Sequence, residues 1–278
     1  MRHNGNPNSA ESQCPMCGES TAAIVPERIA RCQRCTHRWM PSDPTTHALL
    51  EESVYVHDYA GYREDPLLVE SFGEILSRFV IPASPPGARV LDVGCGAGTF
   101  LKVAQDAGFA ARGIDVSPSA AAICRSKGLI AQSGDFLAHR PSTPYDIVTF
   151  WDVLEHLRTP HAFLAHAASL VGPGGLVMGK VPVFGTLTVT LANRVPRLRG
   201  VMLGAPEHVG YGNARSLGAL LDRCPGTWKF LPIAEKGMRS PATGGSIKKR
   251  VARAVRSQVA ALSGDGNLVF ALRPGGGA

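Results

Sequence analysis

The chain has 278 residues, 44% of them hydrophobic, which is enough for one large domain and a small additional module. Its formal net charge of +7 permits nucleic acid or acidic substrates as partners without requiring them. The sequence has no apolar run long enough for a membrane-spanning helix. Residues 1–13 lack the apolar centre of a signal peptide. We therefore expect a cytoplasmic protein, without a membrane partner, that begins with a disordered tail over 1–13.

Four of the seven cysteines form two Cys-x-x-Cys pairs near the start of the chain: Cys14 with Cys17, and Cys32 with Cys35. Each pair can form a tight turn that directs two sulfurs at one point, so two pairs complete a tetrahedral site. In a cytosolic chain this arrangement favours a metal over disulfides. The sequence predicts a structural zinc ion in a zinc ribbon over 14–40, with a redox pair as the alternative. His37 is expected to be a surface residue, although it is also a possible spare ligand.

The rest of the chain divides into a linker, a main domain and a short tail. Proline, serine and threonine predict the linker over 41–53. The main domain is expected over 54–273, followed by a tail over 274–278. From Pro66 to Val80 apolar residues recur at helical spacing, which predicts a helix before the first strand of the domain.

The most informative stretch runs from Val90 to Phe100, where apolar residues lead to Asp92 and three glycines follow on alternate positions: Gly94, Gly96 and Gly98. This pattern predicts a buried parallel strand that ends in a tight turn and opens a helix. A dinucleotide-binding turn has its third glycine one residue later and faces a pyrophosphate. The carboxylate of Asp92 disfavours such an anion. It suits a ligand that carries an amino group and a sulfonium.

This turn resembles motif I of the class I S-adenosylmethionine (SAM) methyltransferases, and the resemblance extends over about residues 60–273. The run from Asp152 to His156 also resembles the Val-Leu-Glu-His signature of ubiquinone-pathway O-methyltransferases and their relatives. The resemblance implies an α/β fold with a doubly wound, seven-stranded, mostly parallel sheet whose last strand is antiparallel. It further implies SAM as the cofactor and an insertion over about 182–212 that helps form an acceptor pocket.

By the same resemblance, the cofactor is expected to contact the glycine turn and the ends of the next three strands. Asp115 suits the two hydroxyls of a ribose, because a carboxylate can accept both hydrogen bonds. Asp135 is implied to accept a hydrogen bond from the adenine amino group, with Phe136 against the ring, unless the two form an ordinary turn. The full expected set is Asp92, Gly94, Cys95, Gly96, Gly98, Asp115, Val116, Asp135, Phe136, Trp151 and Asp152.

Two histidines are candidates for a general base in the reaction that the resemblance implies. His156 lies in the loop that is near the transferring methyl in the family, although a purely structural role there is left open. His208 is the second candidate, because it falls in the acceptor insertion. Glu155 either orients the loop or binds a metal.

The expected function is O-methylation of a small-molecule acceptor such as a sugar or a secondary metabolite. The zinc ribbon and the basic charge leave an rRNA or tRNA methyltransferase as an alternative, although nucleic acid is not the favoured partner. A non-catalytic module that binds SAM and zinc is the third possibility. A basic helix predicted over Ile247–Val259 has a narrow apolar face without aromatic residues, which favours packing on the domain over membrane contact.

Overall fold

The computed structural model of the protein describes residues 13–19, 29–40, 66–204, 208–233, 262–263 and 265–275. The predicted tail before residue 13, the linker 41–53, the basic helix Ile247–Val259 and the tail beyond residue 275 lie outside these residues. No helix within the described ranges is both long enough and apolar enough to cross a membrane.

The secondary structure of the described residues alternates strands and helices through the main domain. The strands are β1 (Ala30–Arg31), β2 (Arg38–Trp39), β3 (Arg89–Val93), β4 (Ala110–Asp115), β5 (Ala131–Ser133), β6 (Tyr145–Trp151), β7 (Val171–Val183), β8 (Gly210–Tyr211), β9 (Gly226–Leu231) and β10 (Gly266–Pro274). The α-helices are α1 (Pro66–Ile75), α2 (Thr99–Asp106), α3 (Pro118–Ser126), α4 (Pro160–Leu170), α5 (Thr186–Arg194), α6 (Arg199–Leu203) and α7 (Ala214–Leu221). A π-helical turn, Leu76–Val80, continues α1, so the predicted helix from Pro66 to Val80 is confirmed.

Seven strands form the main sheet in the order β5-β4-β3-β6-β7-β10-β9. Five neighbouring strands, β5, β4, β3, β6 and β7, are parallel to one another, whereas β10 is antiparallel to both β7 and β9. The predicted seven-stranded, mostly parallel sheet is therefore confirmed, together with its antiparallel last strand. The strand order reverses between β3 and β6, and ligands of open α/β sheets bind outside the carboxyl ends of strands at such a point.

The two central strands are buried on both faces of the sheet. Val90 and Leu91 in β3, and Ile147, Val148 and Phe150 in β6, are at most 1% exposed. A continuous apolar run, rather than an alternating one, is typical of parallel strands covered by helices on both sides. Burying each of these side chains contributes roughly 1.5–3 kcal/mol. The core therefore fixes the strand ends at which the predicted site residues lie.

A second, small sheet joins the cysteine-rich segment to the main domain. Its order is β1-β2-β8, and β8 lies between α6 and α7 of the main domain. In the pairing of β2 with β8, Arg38 lies opposite Tyr211 and Trp39 opposite Gly210. Residues 13–19 and 29–40, hereafter the four-cysteine module, are thus attached to the main domain by backbone hydrogen bonds.

Candidate functional site

The turn after β3 requires glycine because neighbouring side chains crowd it. Gly94, Gly96 and Gly98 have φ angles of 68°, 51° and 82°, a region that favours glycine. A Cβ on Gly94 would lie 2.6 Å from a methyl carbon of Val153, and one on Gly98 would lie 2.6 Å from a methyl carbon of Leu129. The positive φ angles at all three positions, with close packing at Gly94 and Gly98, therefore account for the glycine spacing in the sequence.

Asp92 lies just before the turn in the interior of the sheet. The residue is 2% exposed, and the Thr149 hydroxyl donates a 2.8 Å hydrogen bond to its carboxylate. Burial raises the pKa of the Asp92 carboxyl well above its ordinary value, against the opposing effect of the Thr149 hydrogen bond. A cationic ligand beside the turn would favour the ionised carboxylate, so this position suits a positively charged group.

Cys95 lies inside the turn with a buried thiol, and its contact with the cofactor stays a prediction. It is 7% exposed, and its amide donates a 3.4 Å hydrogen bond to the Ile114 carbonyl. A hydrogen bond with Cys124, together with burial, raises the pKa of the Cys95 thiol. The thiol is therefore protonated and unreactive at neutral pH.

Asp115, predicted to bind ribose hydroxyls, ends β4 next to the glycine turn. Its carboxylate accepts backbone hydrogen bonds of 2.9 Å from Gly96 and 2.9 Å from Ser117. The residue is 2% exposed, whereas Val116 beside it is 60% exposed. Each carboxylate oxygen has two lone pairs that can accept hydrogen bonds. The role of Asp115 in ribose binding stays a prediction.

Asp135 and Phe136, predicted to contact adenine, follow β5 and face different surroundings. Asp135 is exposed and accepts a 2.9 Å hydrogen bond from the Leu137 amide. Phe136 is 4% exposed, and its ring centroid lies 5.7 Å from that of Phe150 and 4.9 Å from that of His166. Phe136 thus anchors the turn to the core, and the adenine contact stays a prediction.

The end of β6 contains a charged pair, Asp152 with Lys180, of which only Asp152 was among the predicted site residues. Asp152 has a φ of 56°, which is uncommon for a residue other than glycine. Its amide donates a 3.1 Å hydrogen bond to the Lys180 carbonyl, and its carboxylate is ion-paired with the Lys180 ammonium. Lys180 is 2% exposed. A single charge within the apolar β7 sequence is the signal that could have identified it.

Trp151, just before this pair, packs against Phe72 and Phe100 with centroid distances of 5.2 and 5.0 Å.

The two histidines that the sequence analysis proposed as alternative bases lie together in the structure. His156 ends the short helical turn Leu154–His156 after β6, and His208 comes just before β8. Their ring centroids are 4.8 Å apart and their planes are inclined at 81°. Both residues are partly buried. A substrate that reaches one imidazole therefore also lies near the other.

Glu155 adds a buried carboxyl group to this pair. It is 3% exposed, and within the described part of the chain neither carboxyl oxygen has a hydrogen-bond partner. Burial raises the pKa of the Glu155 carboxyl well above its ordinary value, and the nearby Asp152 carboxylate adds to the effect. Ligand atoms of Glu155, His156 and His208 lie within 4.8 Å of one another. One oxygen and two nitrogens suit a divalent transition metal, so these three residues could also hold an ion.

The four cysteines predicted to bind zinc also lie together. Their sulfurs are within 4.8 Å of one another, with 3.5 Å between Cys14 and Cys35 and 3.6 Å between Cys17 and Cys32. Four sulfurs about 2.3 Å from one zinc ion, at the corners of a tetrahedron, lie about 3.8 Å apart. The hydrogen bond between Cys14 and Cys35 lowers the pKa of the Cys14 thiol and raises that of the Cys35 thiol, so this pair shares one proton more readily than two. This donor set fits a closed zinc site.

The expectation that His37 is a surface residue is wrong. It is 2% exposed, and its ring stacks on Trp39 with centroids 5.8 Å apart and planes inclined at 7°. Gly210 of β8 also approaches it, because a Cβ there would lie 3.3 Å from His37 Cε1. Burial lowers the pKa of His37 to about 3, so the imidazole is neutral. Packing of the module on β8, which spacing along the chain does not indicate, buries this residue.

Comparison with protein families identifies the main domain. A family described as a methyltransferase domain matches residues 59–224, more than half of the chain. The chain belongs to the class I SAM-dependent methyltransferases. This result confirms the family that the glycine turn and the Leu-Glu-His loop indicated, and with it SAM as the cofactor.

Curated relatives of this methyltransferase match only part of it. The ubiquinone biosynthesis O-methyltransferase of Xanthomonas campestris pv. campestris (strain B100) is 34% identical over 132 residues, which cover 45% of this chain and 51% of the relative. The protein of the same name from Bordetella avium (strain 197N) is 37% identical over 107 residues, which cover 35% and 44%. The chain thus spans about half the length of the curated relatives it matches.

Among solved structures, a SAM-dependent methyltransferase from Archaeoglobus fulgidus is similar to this chain, with a TM-score of 0.51 and 20% sequence identity. The match covers 78% of this chain and 100% of the other. It confirms the fold of the main domain.

The glycine turn of the methyltransferase fits SAM on structural grounds. Burial raises the pKa of the Asp92 carboxyl, and a positive charge of the cofactor beside it would oppose this effect and favour the ionised, complementary form. The turn excludes side chains at Gly94 and Gly98, so a ligand there would meet main chain. These residues would hold the amino acid part of the cofactor, and the strand ends at Asp115 and Asp135 would hold the nucleoside.

Proposed function

We propose that this methyltransferase transfers the methyl group of SAM to a hydroxyl group of a small molecule, such as a sugar or a secondary metabolite. The observation that carries the proposal is the His156–His208 pair, with ring centroids 4.8 Å apart. Because β6 adjoins β3, the loop after β6 lies on the same edge of the sheet as the glycine turn. A hydroxyl must lose a proton during methylation, and an imidazole is suited to accept it near neutral pH.

The names of the curated relatives support oxygen as the acceptor atom. The matched proteins from Xanthomonas campestris and Bordetella avium are both O-methyltransferases of ubiquinone biosynthesis. Because the chain spans about half of their length, we take from them the class of reaction and leave the acceptor molecule open. The insertion over 182–212, which contains His208, is our candidate for the acceptor pocket.

The proposed reaction is an in-line displacement on the methyl carbon. SAM supplies a methyl group on a sulfonium, and S-adenosylhomocysteine (SAH) is the leaving thioether. The acceptor oxygen bonds to the methyl carbon as the carbon–sulfur bond breaks, and the hydroxyl proton passes to His156 or His208. Alignment of the two reactants by the protein can contribute roughly 7–11 kcal/mol. Proton removal by a positioned imidazole adds about 10²–10⁴-fold.

We further propose that Cys14, Cys17, Cys32 and Cys35 hold one structural zinc ion. The mutual sulfur distances and the four-thiolate donor set support this assignment. A closed site of this kind leaves no position for a substrate, so its role is to stabilise the fold of the module. Metal analysis of the purified protein is expected to find one zinc ion per chain. Four freely titrating thiols and no metal would exclude it.

The proposed reaction can be tested by methyl transfer from radiolabelled SAM. The acceptors are a panel of catechols, phenols and hydroxylated sugars, with transfer RNA and ribosomal RNA as competing candidates. We expect label in a small hydroxylated compound and a loss of about 10²–10⁴-fold in kcat when both His156 and His208 are replaced by alanine. His161→Ala, on α4 outside the pair, is the matched control.

Three results would count against this proposal. Label in RNA, with binding that weakens steeply as salt rises, would identify a nucleic-acid enzyme. Binding of SAM without transfer to any acceptor would indicate a non-catalytic module. Full turnover in the double histidine variant would exclude a histidine base.

A further inference from the structure

The four-cysteine module is bound to the strand that follows His208. The pairing of β2 with β8 places Trp39 opposite Gly210. One residue further along, the Met40 amide donates a 2.9 Å hydrogen bond to the Val209 carbonyl. The backbone immediately after His208 is therefore held by the module.

The same short stretch is bound on its other side to the turn that carries His156. The Val209 amide donates a 3.1 Å hydrogen bond to the Glu155 carbonyl. Val209 is 4% exposed, and the fully buried Tyr211 donates a 2.9 Å hydrogen bond from its hydroxyl to the His208 carbonyl. Val209 thus connects the module to both histidines through its own amide and carbonyl.

Side chains reinforce this connection at two further points. The Asn213 side chain donates a 3.0 Å hydrogen bond to the Thr36 hydroxyl, and the Arg223 guanidinium donates one of 3.1 Å to the Met16 carbonyl. Between the module and the histidine loop lies a cavity of about 10 Å³, whose lining includes His37, Glu155 and Gly210. That volume is close to the minimum for one water molecule, so the two surfaces are closely packed.

The hydrogen bonds of the module to the main domain lie on the acceptor side of the site. Among the described residues, its hydrogen bonds to the main domain reach Asn193, Thr186, Val209, β8, Asn213 and Arg223. Within those residues, no hydrogen bond joins the module to the glycine turn at Gly94–Gly98. Met16 and Trp39 of the module also share a hydrophobic cluster with Leu154 and with Val93 at the end of β3. Because the hydrogen bonds of the module end on the side of the histidines, we expect loss of its structure to disturb the histidines most and the glycine turn least.

We propose that the zinc-loaded module is a positioning element of the acceptor site, which holds His208 and Glu155 in place through Val209 and leaves SAM binding unaffected. The inference rests on the proposed zinc site and on the proposed role of the histidine pair. It assigns the module a part in acceptor use in addition to its own stability.

Removal of the metal from the full-length protein tests this inference without a known acceptor. Zinc is stripped with a thiol reagent and a chelator, and the protein is compared with a reconstituted sample. We expect SAH affinity, measured by calorimetry, to change by less than about twofold, because the turn keeps its contacts. We expect the Val209 amide to exchange with solvent at least about tenfold faster, and the ring signals of His156 and His208 to shift in the NMR spectrum. Reconstitution with zinc should restore both.

A pair of variants at Met40 separates positioning from the folding of the module. Met40→Pro removes the amide that binds Val209 and leaves all four cysteines, whereas Met40→Ala shortens the side chain and keeps the amide. At equal zinc content, we expect the Val209 amide hydrogen to exchange with solvent roughly two- to tenfold faster in Met40→Pro than in Met40→Ala. This ratio corresponds to the net free energy of one hydrogen bond.

The outcomes distinguish this inference from the proposals on which it rests. Purified protein without zinc would refute the proposed metal site. Unchanged Val209 exchange and histidine signals after verified zinc removal, with equal behaviour of the two Met40 variants, would overturn the positioning role and leave the zinc site intact. A loss of SAH binding together with zinc would show that the module supports the whole domain, which also contradicts the inference.

Discussion

Replacing Lys180 with methionine tests the ion pair that links the ends of β6 and β7. The ammonium of Lys180 pairs with the Asp152 carboxylate, and the Asp152 amide binds the Lys180 carbonyl. Methionine has a similar length and no charge, so the substitution removes the ion pair with little change in packing. The perturbation therefore acts on the loop that leads to the histidine pair.

The expected magnitude follows from the burial of the two partners. The Lys180 side chain is 3% exposed and that of Asp152 is 34% exposed. Breaking a fully buried pair costs about 3–5 kcal/mol, because the remaining charge loses its partner in a dry environment. Water can reach part of Asp152 and replace some of the lost interaction, so we expect the free energy of unfolding to fall by about 1–3 kcal/mol.

Urea denaturation of a double-mutant cycle measures this effect. Asp152→Asn is the matched partner, because asparagine tolerates the left-handed backbone that Asp152 adopts. We expect the Lys180→Met/Asp152→Asn protein to be more stable than the sum of the single changes predicts, by at least about 1 kcal/mol. Additive changes, or a Lys180→Met protein as stable as the wild type, would refute the reasoning.

Three further predictions concern the cofactor turn. Gly94→Ala places a Cβ 2.6 Å from Val153, and we expect SAM affinity measured by calorimetry to fall about tenfold. Gly87→Ala, with a similar φ of 71° and no close neighbour, should leave that affinity unchanged. Thr149→Val removes the donor to Asp92 and should lower the free energy of unfolding in urea by about 1–3 kcal/mol. Folding raises the pKa of Asp92 above its ordinary value of 3.8. The free energy of unfolding should therefore fall as the pH rises from 3.8 through the pKa of the folded protein. This pH dependence should be weaker in Asp92→Asn. Because a cation favours the ionised carboxylate, SAM affinity should rise over the same range in the wild type, and an affinity independent of pH would contradict this.

The glycine turn could be predicted because local chemistry determines it, whereas the seven-stranded sheet was implied by the resemblance to the methyltransferases. Glycines at alternate positions after a buried apolar strand have few structural uses, and the structure has φ angles of 51° to 82° at those three residues. The helix from Pro66 to Val80 follows from an equally local signal, the helical spacing of its apolar residues, and the structure contains it. Such features depend on neighbours in the sequence, so they can be identified from it.

The contacts that assemble the acceptor side could not be predicted in the same way. The strands β2 and β8 have two residues each, which is too short for any periodic pattern. Their pairing buries His37 and brings His208 next to His156, but no residue type near them indicates it. The ion pair of Lys180 with Asp152 could not be predicted either, because the two residues become neighbours only when β6 and β7 pair.

The position of the transferred methyl group tests the central claim most directly. The protein is incubated with SAM carrying a deuterated methyl group and with the hydroxylated acceptor panel, and the product is identified by mass spectrometry and NMR. We predict that the deuterated methyl is bonded to an oxygen, and that the His156→Ala/His208→Ala protein forms this product at least about 100-fold more slowly while it still binds SAH. A methyl group on nitrogen, on carbon or on RNA, or equal rates in the two proteins, would contradict the account.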